Sequence, residues 1–280
     1  MDRSADFNGI VLVILSFLSL NLGDLFSKLL VRQGQSVYEI ILYNNSVVLV
    51  AILIYAFVKK ESLIPVNLKL SIIRGLIAFI AGVSFYTGLS ITPLTELIPV
   101  TLLSPIVGIF LARIFLNEIF SPWIWFWGFI ALIGALLASN ITFAFSLGII
   151  FGLVTAVGNA VVAIMVKMMP KEGVLSMTTV LVTVGILLVI PIVFFQETFS
   201  APIPLNLING FCILGFLIFN ILAYKIVRRA STLPIYQYSL LIFAGIIGTT
   251  FLEETITLLA LTGMVLILIS GIFTAKVAND

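Results

Sequence analysis

Charged residues are scarce in this 280-residue chain, and histidine is absent. Only 9% of the residues are Asp, Glu, Lys or Arg, whereas a soluble domain carries about 25%. So few charges could not cover the surface of a soluble protein of this length, and the mean hydropathy of +1.29 agrees with that view. The composition therefore predicts an integral membrane protein.

The missing residue types also exclude several kinds of chemistry. Without histidine, the chain lacks the commonest general base and the commonest transition-metal ligand. Its single cysteine, Cys212, lies in an apolar run, so it cannot form an internal disulfide and is predicted to be a small buried hydrophobe. No carboxylates cluster at metal-ligand spacing. We therefore predict neither an enzyme nor a cofactor site. We also expect no nucleic-acid partner, and the net charge of +2 carries no information on that point.

Long apolar runs are what the chain has in abundance. A helix needs about 20 apolar residues to cross a bilayer, and ten such runs are separated by short polar or turn-forming clusters. The predicted spans are residues 8–31, 37–58, 70–91, 96–116, 122–140, 146–168, 174–195, 208–227, 234–252 and 257–276. The first run carries no cleavage site of a secretory signal, so it is predicted to be a span. The sequence thus predicts an all-α integral membrane protein with ten transmembrane helices.

The positive charges predict the orientation of these spans. With the N-terminus in the cytoplasm, twelve of the fourteen Lys and Arg residues fall on the cytoplasmic side, and only Lys28 and Arg32 fall outside. Cytoplasmic loops carry an excess of Lys and Arg, so both termini are predicted to be cytoplasmic. We expect a multi-pass protein of a bacterial inner membrane.

Two short stretches suggest an internal repeat. "FLNEIFSPW" at residues 115–123 and "FLEETITLL" at residues 251–259 each place one glutamate, Glu118 or Glu254, between two apolar runs. Each glutamate lies in a tight turn between helices, where a carboxylate can stay hydrated and cap the N-terminus of the next helix. We predict structural or gating roles for both carboxylates.

The repeat divides the chain into residues 1–140 and 141–280, each with five spans. Five is an odd number, so the second copy is predicted to enter the membrane from the opposite face. An inverted 5+5 repeat is typical of secondary transporters, in which two like halves expose a central site alternately to either side.

The chain also resembles a known family. Residues 84–138, "SFYTGLSITPLTELIPVTLL…FLNEIFSPW…", and residues 228–271, "RRASTLPIYQYS…FLEETITLL…", are similar to the EamA module of the drug/metabolite transporter superfamily. Within that superfamily, "GDLFSKLL", "SVYEI" and "IIRGL" are closest to the subgroup that contains S-adenosylmethionine carriers. The resemblance implies a carrier for a small polar metabolite, such as an amino acid or an S-adenosylmethionine-like compound.

Polar side chains within the spans are the candidate substrate ligands, because a polar group in hydrocarbon is costly. Asp24 and Glu96 suit a cationic or amine-bearing group. Lys28, one turn after Asp24, either forms a structural pair with it or tunes its charge, and Asn21 shares that helical face. The remaining candidates are Asn44, Asn45, Tyr86, Ser104, Asn159, Tyr224, Tyr236, Gln237 and Tyr238.

Some of these residues have a simpler structural interpretation. Ser104, Gly108 and Ala112 form a small-residue stripe, which more often indicates close helix packing than chemistry. A different function also stays open, because related proteins include noncatalytic membrane subunits and components of lipid flippases. The complete repeat favours a self-sufficient transporter whose partners are a small-molecule substrate and the lipid bilayer.

Overall fold

Helices account for the regular secondary structure of the protein. A computed structural model describes residues 3–91, 100–118, 121–138, 147–195, 200–251 and 257–279. These ranges contain ten long α-helices and no strand. The helices are α1 (Arg3–Arg32), α2 (Val37–Lys59), α3 (Leu68–Ile91), α4 (Ser104–Phe115), α5 (Pro122–Ala138), α6 (Leu147–Met168), α7 (Val174–Phe194), α8 (Pro204–Ile226), α9 (Ser239–Phe251) and α10 (Leu258–Asn279).

Each predicted span corresponds to one of these helices, but four helix starts differ from the prediction by more than two residues. Helix α1 begins at Arg3, five residues before the predicted start at residue 8. Helix α8 begins at Pro204 rather than residue 208, because proline is favoured in the first turn and the Asn206 side chain accepts the Ile203 N–H at 2.8 Å. Helix α4 begins at Ser104 within the described residues. Two 3-10 turns, Ala230–Thr232 and Pro234–Tyr238, occupy the predicted start of the ninth span.

Seven helical segments of the described chain are long and apolar enough to cross a bilayer. Three further segments, Ser104–Phe115, Pro122–Leu137 and Leu258–Thr274, are apolar but shorter. The sides of these helices expose many large hydrophobic residues, including Phe57, which is 85% exposed. Such apolar outer faces suit lipid rather than water.

The α2 N-terminus shows how local sequence sets a helix boundary. Ser36 Oγ accepts the Glu39 N–H at 3.2 Å, and Glu39 Oε2 accepts the Ser36 N–H at 2.7 Å, which forms a capping box. At the other end, Lys60 takes a left-handed conformation with φ of 55° and stops the helix.

Contacts between the first five and the last five helices dominate the packing. Helix α1 packs against α8 and α9, and α6 packs against α3 and α4. Helix α2 contacts α7 and α8, α3 also contacts α7, and α5 packs against α10. The two halves are therefore interleaved, and the helices of one half bury their faces on the other.

Small residues allow some of these helices to approach closely. A methyl group at Gly210 in α8 would lie 2.5 Å from Val47 Cβ in α2, and one at Gly158 in α6 would lie 2.7 Å from Ala81 Cβ in α3. Neither site has space for a side chain. Van der Waals packing across small residues is a main source of helix association in lipid.

Candidate functional site

Asp24 lies on the same side of α1 as the buried residues Val13 and Phe17, but it is itself exposed. The apolar residues Val11 and Leu15 are exposed on the outer side of this helix, whereas Val13 and Phe17 are buried. At 3.6 residues per turn, Asp24 is two and a half turns beyond Leu15, so it is on the same side as Val13 and Phe17. Val31, about two turns further along on that side, is 49% exposed, so this side of α1 leaves the packed core near Asp24.

Asn159 has the same kind of position on α6. Ile150 and Leu153 are exposed on the outer side of this helix, and Thr155 and Ala163 are buried. Asn159 lies two and a half turns beyond Ile150 and one turn from Thr155 and Ala163, on the inner side, yet it is exposed. Helix α6 thus carries one predicted polar ligand, Asn159, on its packed side, whereas Asp24 lies where the corresponding side of α1 becomes exposed.

Asn21 connects α1 with α9. Its Nδ2 donates to Phe17 O at 3.0 Å and to Leu240 O at 3.1 Å, and the side chain is buried. Both amide hydrogens are occupied by backbone carbonyls. Substrate binding by Asn21 stays a prediction, and in this arrangement only its Oδ1 could accept a hydrogen bond from a ligand.

The two asparagines of α2 have different environments. Asn44 is buried, and its Oδ1 has no hydrogen-bond partner among the described residues. Asn45 lines a cavity of about 160 Å³ between α2, α3 and α7. Gly82 and Gly185 line the same space. One asparagine therefore points into the protein and the other into this small cavity.

The aromatic residues predicted near the start of the ninth span are largely buried. Tyr238 OH donates to Leu102 O at 2.9 Å, and Tyr236 OH donates to Gly271 O at 2.8 Å. Gln237 Nε2 donates to Tyr224 OH at 3.4 Å. These bonds fix the 3-10 turn to its neighbours, so any ligand of Tyr236 or Tyr238 would have to donate a hydrogen bond.

Ser104 is buried as the first residue of α4, and its Oγ has no partner among the described residues. Gly108 and Ala112 are also buried, and a methyl group at Gly108 would lie 3.1 Å from Pro234 Cγ. The stripe therefore packs against the chain that leads into α9, as its small residues predict.

Four predicted residues lie wholly or partly outside the described structure. Glu96 and Glu254 fall outside the described residues, whereas Tyr86 in α3 and Lys28 in α1 have described backbones but no described side chains. Their predicted roles stay predictions.

Glu118 holds a segment of the other half of the chain. Its Oε1 accepts the Ala230 N–H at 2.7 Å, and its Oε2 accepts the Ser231 N–H at 3.0 Å. The prediction that Glu118 caps the next helix is therefore wrong: its carboxylate caps the 3-10 turn that precedes α9. We call residues 227–231, between α8 and α9, the strap.

Two further charged side chains hold the strap. Asp6 in α1 accepts hydrogen bonds from the Arg228 N–H at 2.9 Å and from its Nε at 2.6 Å, and the pair forms an ion pair at 2.5 Å. The bond and charge of Asp6 raise the pKa of Arg228 above its usual value. Lys167, at the end of α6, donates to Val227 O. The strap is thus fixed to α1, α6 and the α4–α5 turn at the predicted cytoplasmic end.

Two buried carboxylates were missed by the sequence analysis. Glu172 accepts the N–H groups of Val66 at 2.9 Å and Asn67 at 2.5 Å, and thereby holds the α2–α3 loop. Glu39 accepts the Ser200 N–H at 2.6 Å and holds the chain before α8. The capping-box pattern "SVYE" could have identified Glu39 as a cap, but its contact with residue 200 had no sequence signal.

Arg74 was counted only as a cytoplasmic positive charge, yet it is 3% exposed. Its Nε donates to Val162 O in α6 at 3.1 Å, and its Nη1 has no partner within the described ranges. Arg74 falls within the predicted span 70–91, but neither the apolar run nor the charge pattern indicated that its guanidinium would be buried.

Comparisons with known proteins identify relatives of the chain. Residues 7–140 match the EamA-like transporter family. The S-adenosylmethionine uptake transporter of Rickettsia prowazekii (strain Madrid E) is 27% identical over 275 residues, which cover 95% of this chain and 92% of that protein. A crystal structure of another protein superposes with a TM-score of 0.82 over 99% of this chain and 98% of its own, at 13% identity. That last likeness shows the fold alone.

Proposed function

Because residues 7–140 match the EamA-like transporter family, we propose that the protein is a secondary transporter that works by alternating access. It carries a small polar organic metabolite across a bacterial inner membrane, with both termini in the cytoplasm. The family supports transport and membrane embedding, and the apolar helices are long enough for a multi-pass protein.

The pairing of the helices is the observation that carries the mechanism. If each helix is exchanged with the one five places away, the α1–α8 pair becomes α6–α3, and the α1–α9 pair becomes α6–α4. The α2–α8 pair becomes α7–α3, whereas α2–α7 and α5–α10 become themselves. All these pairs are in contact. This pattern supports an inverted repeat of residues 1–140 and 141–280, whose halves could exchange conformations.

The polar side chains support an amine-bearing or cationic substrate. Asp24 offers an exposed carboxylate on α1, and Asn159 offers an amide on the inner side of α6. Within a membrane, such groups mark substrate pathways more often than structural positions. The relative named as an S-adenosylmethionine uptake transporter supports an S-adenosylmethionine-like or amino-acid substrate.

Uptake into liposomes tests this proposal. Purified protein should take up labelled S-adenosylmethionine or an amino acid, and Asp24→Asn should lower that uptake by about tenfold or more, because a charge-assisted contact is lost. Glu61→Gln, which changes an exposed loop carboxylate, serves as the matched control and should leave uptake unchanged.

Two results would contradict parts of the proposal. Equal uptake by wild type and Asp24→Asn would leave Asp24 a structural residue. A thermal-shift screen in which only anionic sugars or phosphates stabilise the protein would refute an acidic binding site.

A further inference from the structure

Arg74 is a buried cation whose charge has no anionic partner in the described structure. It lies in α3 with 3% exposure, and only its Nε has a recorded hydrogen bond, to Val162 O at 3.1 Å. Its Nη1 is buried without a hydrogen-bond acceptor among the described residues, and the guanidinium forms no ion pair with a described carboxylate. An uncompensated buried charge is destabilising, so an anion that reached this guanidinium would offset that cost.

The other half of the chain shows that packing at this position does not require a charge. Asn209 in α8 precedes Gly210 just as Arg74 in α3 precedes Gly75. Asn209 also reaches the helix on which its own helix packs, because its Nδ2 donates to Ser27 Oγ in α1 at 3.0 Å. A neutral amide therefore makes the same kind of interhelical contact. The interhelical hydrogen bond of Arg74 does not require a positively charged donor.

The position of Arg74 places its charge beside the inner side of α6. Val162, whose carbonyl accepts from Arg74, follows Asn159 by three residues and so lies on the same side of α6. Asn159 is exposed on that side. The guanidinium is thus within about one helical turn of a solvent-accessible polar residue.

We propose that Arg74 binds the carboxylate of the transported metabolite. This inference rests on the proposed transport function and narrows its substrate to compounds that carry both an amine and a carboxylate, the α-amino acid class and its conjugates. A guanidinium suits this task because its planar N–H groups match a carboxylate in pairs. Val162, whose carbonyl accepts from Arg74, lies five residues before Lys167, whose side chain donates to the strap.

The test uses compounds that differ only in the carboxylate. S-adenosylmethionine is compared with its decarboxylated form, and methionine with 3-(methylthio)propylamine, as competitors of uptake and in thermal shift. Wild type should prefer the carboxylate-bearing member by about 10- to 100-fold, the range of a charged hydrogen-bonded contact. Arg74→Gln should lose this preference, and Arg74→Lys should keep part of it.

Asn209→Ala is the matched control. It removes the equivalent interhelical bond, so it should lower thermal stability while leaving the preference for the carboxylate intact. Should Arg74→Gln fail to fold, Arg74→Asn replaces it, because it places in α3 the side chain that α8 already accommodates at residue 209.

The outcomes separate this proposal from the transport proposal. Uptake of amines with no preference for a carboxylate, or an unchanged preference in Arg74→Gln, would overturn the role of Arg74 and leave transport intact. If no metabolite is transported, the proposed function fails. The carboxylate-binding role of Arg74 is then tested by comparing the melting temperature of the protein in sodium acetate with that in sodium chloride. Greater stabilisation of wild type than of Arg74→Gln supports a carboxylate site, and equal stabilisation refutes it.

Discussion

Replacement of Glu118 by glutamine should release the strap. The carboxylate accepts two backbone hydrogen bonds, from Ala230 at 2.7 Å and from Ser231 at 3.0 Å. Glutamine keeps one carbonyl oxygen as an acceptor, so Glu118→Gln loses one of the two bonds and the charge. A hydrogen bond to a charged group contributes about 1.5–3 kcal/mol. The equilibrium between held and released strap should therefore shift by about 10- to 100-fold toward release.

Cysteine labelling can measure this shift. Ser231 is fully buried, and cysteine is close to serine in size, so Ser231→Cys places a thiol within the strap. The native Cys212 is first changed to serine. An impermeant maleimide added to inside-out membrane vesicles should label Cys at residue 231 about 10- to 100-fold faster in the Glu118→Gln background, because labelling follows the released population.

A second carboxylate provides the control. Glu172 also accepts two backbone N–H groups, at 2.9 and 2.5 Å, but from the α2–α3 loop. Glu172→Gln should lower the melting temperature without changing the labelling of the strap. If Glu118→Gln labels at the wild-type rate, or if both variants accelerate labelling equally, the strap is not held by Glu118.

Two further predictions concern packing and the start of α9. Gly210→Ala should destabilise the protein by about 1–3 kcal/mol, measured as a lower melting temperature, because the added methyl would lie 2.5 Å from Val47 Cβ. Gly82→Ala is the control and should leave the melting temperature unchanged, because an added methyl there has nothing within 4 Å. Equal losses of stability in the two variants would refute the packing argument. Tyr238→Phe should cost about 1 kcal/mol of stability, because the Leu102 carbonyl loses its donor at 2.9 Å; an unchanged melting temperature would show that this bond contributes nothing.

The all-helical fold could be predicted from the sequence because a bilayer fixes the length of an apolar span, but seven helical segments of the described residues, rather than the predicted ten, are long and apolar enough to cross a bilayer. The prediction was less accurate at helix starts. Pro204 and Asn206 carried a local signal for the beginning of α8 that apolar run length did not use. Cys212, predicted to be buried, is half-buried, because residence in an apolar helix does not specify which side of that helix packs.

Candidate site residues could be predicted only where a polar residue type is energetically unfavourable in an apolar helix. Asp24 and Asn159 stood out as polar residues in apolar helices. The contacts of Glu118, Glu39 and Glu172 did not, because their backbone partners are more than 100 residues away in the chain. A carboxylate that accepts a hydrogen bond from a distant peptide N–H has no partner side chain, so no sequence pattern predicts this contact.

The interleaving of the two halves has a consequence for synthesis. A ribosome adds about 5–20 residues per second, and Gly23 in α1 packs against Asn209 and Cys212 in α8. Helix α1 therefore resides in the membrane for about 10–40 s before its partner is made. During that interval its small-residue face can meet other nascent helices. The first five helices therefore form an inserted intermediate with unpaired packing faces, which a chaperone or the translocon would have to protect. A fragment truncated after residue 140 should be degraded.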